Sequence, residues 1–216
     1  MENQKNTRGP RRLRLGLFGL CLAQTWLPST LQAQVNSGAT MLVFNPAHLP
    51  EKVLLQAEES AARIFSHAGL LVEIVNCQAT PTDAAHPTAC ERRDNPVTLR
   101  MEIENHRPPG LSWDLLGYCV LPEKNGAGTP AAGVYLPAAR KIADAGMADL
   151  YQALGAAIVH EFGHFLLGPR AHSLQGVMAA RWGRQEVTLA ALDQLHFTRD
   201  QAARMGATIA RLHAPR

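Results

Sequence analysis

The segment His160-Glu161-Phe162-Gly163-His164 constrains this chain more than any other. It lies in a stretch, from about Met147 to Leu167, whose apolar residues recur at helical spacing, with Gly168-Pro169 placed to end the helix. Two histidines four positions apart on a helix share a face, so both imidazoles can be aimed at one point. Glu161 is turned by about 100° from His160 and can reach a zinc-activated water as its general base. Ile158, Phe162 and Phe165 form the opposite, core-facing side, and the small residues Ala153, Ala156 and Ala157 border the histidine face, as an accessible cleft needs.

Two histidines leave such a site incomplete, because a hydrolytic zinc centre takes three protein ligands and keeps a fourth position for water. His172 is the first candidate, since Gly168-Pro169 turns the chain sharply and a short return can carry residue 172 back to the metal. Glu186, just ahead of an apolar helical run, is the alternative, and Asp193 is a further one. His196 and His213 fall on closing helices and His48, His67, His86 and His106 in or near turns, and none of these six receives a metal role.

From His160 to Trp182 the sequence resembles the metzincin clan of zinc peptidases. It is most similar to a compact variety found among secreted bacterial proteins, with the pattern HExGHxLLG, then HSxxGxM, then a tryptophan. Here these are His160 to Gly168, His172 to Met178, and Trp182. Gly168 and His172 follow His164 by four and eight positions, a loop two residues longer than is usual in the clan, and Met178 comes sooner than usual. The resemblance implies an α/β (α+β) zincin-like fold, a small mixed sheet packed on the helix that carries His160 and His164, with C-terminal helices. It implies zinc (Zn2+) held by His160, His164 and His172, with Met178 in a tight turn beneath the metal.

The N-terminus has the layout of an export signal. Arg8, Arg11, Arg12 and Arg14 lead into the apolar run Leu15 to Leu27, which is shorter than a bilayer-spanning helix, and cleavage after Ala33 fits best. The Arg11-Arg12 pair lacks the rest of a twin-arginine motif, so the general secretory route is expected. Residues 34–216 then form a single domain, secreted or periplasmic, without stable membrane association. Five of the 21 basic residues and one of the 18 acidic residues lie in positions 1–33, leaving a formal charge of about −1 on the remainder. That balance offers no footprint for nucleic acid or an anionic membrane.

Cys21 lies in the export segment. Cys77 and Cys90 bracket the polar stretch Gln78 to Ala89, which a disulfide would close with about 3 kcal/mol of stabilisation. Cys119 is then a buried free thiol, with its pairing to either of the others left open, and no CxxC pair supports a zinc ribbon.

Along the rest of the chain, Met41 to Phe44 reads as a strand, Glu51 to Gly69 as a helix, and Leu70 to Val75 as a buried strand, which together make a β-α-β unit. Val97 to Ile103 alternates as a half-buried strand, Gly117 to Leu121 is a short strand, and Glu123 to Pro130 is a loop. Gly133 to Leu136 is a further strand and a candidate for the sheet edge that an extended substrate would join by backbone pairing. Val187 to Leu195 and Arg199 to Leu212 are closing helices. Tyr135 and Tyr151 could stabilise an oxyanion, but nothing in the sequence orients either ring, and both stay outside the site.

The functional expectation is a secreted zinc metallopeptidase acting on a peptide or protein substrate, with Glu161 as general base. A zinc-binding accessory module would have no use for Glu161. A cell-wall amidase would share the same water chemistry. Residues 34–40 are too few for a folded pro-segment, so maturation by signal removal alone is expected.

Overall fold

The computed structural model describes residues 38–77, 90–91, 94–112, 115–122 and 129–215. Residues 1–33, read above as an export signal, the stretch 78–89 with His86, and most of 123–130 lie outside the described residues.

Among the described residues the elements run β1 (Ala39–Phe44), α1 (Glu51–His67), β2 (Val72–Asn76), β3 (Thr98–Glu104), β4 (Gly117–Val120), β5 (Ala131–Tyr135), α2 (Leu136–Asp144), α3 (Leu150–Leu167), α4 (Arg184–Ala191) and α5 (Arg199–His213). They form an α/β fold around a five-stranded mixed sheet of order β2-β1-β3-β5-β4. β1, β2, β3 and β5 are parallel, and β4 pairs antiparallel with β5 at one edge. The β1-α1-β2 unit is therefore present as expected.

Alternation along the strands separates two faces. Met41 and Val43 pair in register with Leu99 and Met101, and Met101 and Ile103 with Ala132 and Val134, and all seven are fully buried. On the opposite face Arg100 and Glu102 form an ion pair at 2.7 Å, and the Arg100 guanidinium lies 3.6 Å from the Phe44 ring centroid. The apolar face meets α1 and α3, whose Phe65 and Phe162 rings pack edge to face at 4.9 Å. α3 is buried almost all round, from Gln152 to His164, as befits a helix with apolar residues on every side. Met205 and Ile209 of α5 close the core.

Several sequence expectations need correction. β2 is a half-buried outer strand starting at Val72, because among the described residues β1 alone pairs with it. β5 lies between β3 and β4, so the sheet edge on that side is β4, not Gly133 to Tyr135. Leu136 does not continue the strand: it opens α2, with Pro137 in the first turn where its missing N–H costs nothing. α4 begins three residues earlier than Val187 and ends at Ala191. Cys77 and Cys90 are disulfide-bonded, with Cα atoms 5.6 Å apart, and Cys119 is free and half-buried.

Candidate metal centre

Three imidazoles converge beside α3. His160 and His164 are buried within the helix face, and His172 approaches from the exposed segment beyond Gly168. His164 Nε2 lies 3.2 Å from His160 Nε2 and 3.1 Å from His172 Nε2, and one ring nitrogen from each residue falls within 4.8 Å of the others. His160 Nδ1 lies 2.7 Å from the carbonyl oxygen of Val177, and His164 Nδ1 3.1 Å from that of Gly168. A carbonyl only accepts, so both Nδ1 atoms carry the proton and donate it, leaving the Nε2 lone pairs facing the common point. Burial holds His160 down at about 4 and His164 below its ordinary range, so both rings are neutral at neutral pH.

The His160 and His164 lone pairs have no proton to share between them, and with His172 they make a nitrogen donor set that suits a cation. Tetrahedral zinc at about 2.0–2.1 Å from each nitrogen would set the nitrogens about 3.3 Å apart, close to the two separations seen. The residues present fit the ion.

Local structure explains the convergence. Gly168 ends α3 with φ of +92°, a conformation open to glycine, and its N–H donates to the His164 carbonyl at 2.8 Å. The returning chain is then tied down on both sides of His172. Gln201 of α5, itself buried, approaches the Ala171 carbonyl at 3.5 Å and the Ser173 hydroxyl at 3.1 Å through Nε2. Ser173 N–H donates to the Met178 carbonyl, and Val177 N–H to that of His196. Met178 is fully buried in this tight turn, against Gly163, where a Cβ would collide with its sulfur. Trp182 donates from Nε1 to the Val177 carbonyl at 3.3 Å, with its ring edge-on to His160 at 6.4 Å, so it packs beside the site.

Glu161 faces another way, towards the sheet edge. Gly117 and Cys119 of β4 share the inner face with Val134 and Ala132, and Gly117 lies against the Glu161 side chain. A Cβ at position 117 would stand 2.8 Å from Glu161 Cγ and 2.9 Å from Oε1. Burial pushes the Glu161 carboxyl up to about 8. Burial, then the Glu161 charge, pushes the Cys119 thiol up to about 12. Burial first, then the charges of Glu104 and Glu161, raises the Tyr135 hydroxyl above its ordinary range.

The alternative ligands are employed elsewhere. Glu186 accepts the Gly183 N–H at 3.0 Å as a cap on its own helix, and Asp193 pairs with Arg63 at 3.3 Å on the surface. Ala153, Ala156 and Ala157 line no cleft, being packed in the core. Val177, Gly117 and Gln201 escaped the sequence reading. Val177 acts through its backbone, Gly117 through an approach across the fold, and Gln201 from a helix with no motif. Only a Gln three residues after Thr198, the signature of a helix cap, marks Gln201, and that signal explains just half its role.

No protein-family model matches the chain, and no curated protein matches its sequence. Among solved structures, the crystal structure of archaemetzincin from Methanopyrus kandleri is similar to it, with a TM-score of 0.47 and 16% identity, covering 83% of this chain and 99% of that one.

Proposed function

We propose that this chain is an exported zinc metallopeptidase, with His160, His164 and His172 as metal ligands and Glu161 as general base. The observation that carries the reading is the meeting of three imidazole Nε2 atoms, two of them with Nδ1 committed to carbonyls, on the helix that sets Glu161 against the sheet edge.

Zinc held by His160, His164 and His172 would supply a Lewis acid that brings a water towards ionisation near neutral pH. Glu161 takes a proton from the attacking water and delivers it to the departing amine, which balances the hydrolysis of one peptide bond. β4 pairs only with β5 among the described residues, and its other side is where an extended peptide would add a strand. Such a strand would run past Gly117 and the carboxyl behind it. Export is supported by the N-terminal signal pattern and by the Cys77–Cys90 disulfide, which persists in oxidising compartments. No helix among the described residues is long and apolar enough to cross a membrane.

The test is cleavage of a quenched peptide library by the zinc-loaded protein and by its Glu161→Gln variant. Loss of about 10²–10⁴ in rate with zinc retained is expected. Equal cleavage by both proteins, or none by either, contradicts the proposal.

A further inference from the structure

A cavity of about 400 Å³ opens between α2 and α4, a size that takes a large side chain. Ala138 and Val187 form its buried floor, and Leu116, Ile142 and Trp182 its half-buried walls. One of those walls borders the histidine site, and another adjoins the strand position that backs Glu161. Trp182 is the ring set edge-on to His160 and bonded to the carbonyl that fixes it. Leu116 directly precedes Gly117, on which Glu161 rests. The cavity therefore opens next to the groups that would hold a scissile bond.

The charged side chains lining it are both cationic, Lys141 in the last turn of α2 and Arg184 in the first turn of α4. Both are exposed, and neither forms an ion pair among the described residues. Lys141 at a helix C-terminus has an ordinary explanation in the helix dipole. Arg184 does not, because a helix N-terminus disfavours a cation. The neighbouring carboxylate, Glu186, is buried and accepts the Gly183 N–H as a cap, and it forms no ion pair with Arg184 among the described residues.

We propose that this cavity selects peptides with a large apolar side chain at the residue bordering the scissile bond and a carboxylate immediately beyond it. The inference rests on the peptidase reading above: the apolar side chain fills the cavity, and Lys141 and Arg184 receive the carboxylate. Acidic side chain and free chain terminus offer the same chemistry.

The test measures two quantities on four dye-labelled peptides that differ only at those two positions: Leu-Asp, Leu-Lys, Ser-Asp, and one ending at the Leu as a free acid. One is binding to the zinc-loaded Glu161→Gln protein by fluorescence anisotropy, and the other is cleavage by the unaltered protein. Leu-Asp should exceed Leu-Lys by about 2–30-fold, the sum expected of two exposed ion pairs. Leu-Asp should exceed Ser-Asp by at least about tenfold. Lys141→Glu with Arg184→Glu should reverse the first preference, and Arg211→Glu, on an exposed position of α5, should leave it in place. A free-acid peptide stronger than Leu-Asp assigns the carboxylate to a chain end, and the opposite order assigns it to an acidic side chain. An unchanged order in the charge-reversed protein, or Ser equal to Leu, overturns the assignment. Cleavage without this order sinks the pocket and spares the peptidase. Ordered binding without cleavage does the reverse, and neither binding nor cleavage sinks both.

Discussion

Replacing Gly117 by alanine should separate catalysis from metal binding. The added Cβ would overlap the Gly133 carbonyl oxygen and stand 2.8 and 2.9 Å from Glu161 Cγ and Oε1, where ordinary contacts begin at 3.4 Å. Relief needs a shift of roughly 0.5–1.2 Å, in β4 for the Gly133 backbone and in β4 or Glu161 for the carboxylate side chain. A displacement of about 1 Å at a reacting group costs on the order of 10²-fold in rate, and overpacking of this kind costs about 1–3 kcal/mol of stability. His160, His164 and His172 are held through Val177, Gly168 and Gln201, none of which touches β4 in the contacts described, so zinc content should not change. The assay is kcat/KM on a quenched peptide beside metal analysis and a thermal melt of the same preparation. Full activity in Gly117→Ala would show that the sheet edge does not position Glu161, and parallel loss of zinc would show that the two halves of the site are not separable.

Glu58 supplies a pH dependence of stability. Burial pushes its carboxyl up from 4.5 to about 7, and its Oε1 is buried with no hydrogen-bond partner among the described residues. A raised folded-state value means that its relative stabilisation is complete below pH 4.5 and is lost as pH rises through about 7. Glu58→Gln should remove that loss, so denaturant melts should show a difference between variant and parent that grows from pH 4.5 to 7 and stays level above, reaching about 1–3 kcal/mol after allowance for solvent screening. A constant difference across that range would contradict the assignment. Cys77→Ser with Cys90→Ser should lower stability by about 3 kcal/mol, and adding reductant to that double variant should have no further effect on its melt.

What could be read from the chain depended on the range of the interaction. The helix carrying His160 and His164, the strands β1 and β3, and the Cys77–Cys90 closure all announce themselves within some twenty residues, through periodicity, breakers or spacing. The return of residue 172 to the two helix histidines was also legible, because Gly168-Pro169 sets the direction of the chain. α2 was missed although Pro137 in its first turn marks a helix start, since nine residues between a strand and a glycine give little periodicity to weigh. The order β3-β5-β4 was not legible at all. Whether Gly133 or Gly117 lies at the edge depends on β4 folding back antiparallel, which no local pattern at 117–121 encodes. The same gap hid the support of Glu161, because the glycine beneath it looks like any other glycine in a loop-rich stretch.

The most direct test is the zinc content of the purified protein and of single variants at each proposed ligand, measured by elemental analysis after dialysis. About one zinc per chain is expected in the parent and in Glu186→Gln, with loss of the metal in His160→Ala, His164→Ala and His172→Ala. Zinc retained in His172→Ala but lost in Glu186→Gln, or a parent that takes up no zinc when supplied with it, would contradict the centre described here.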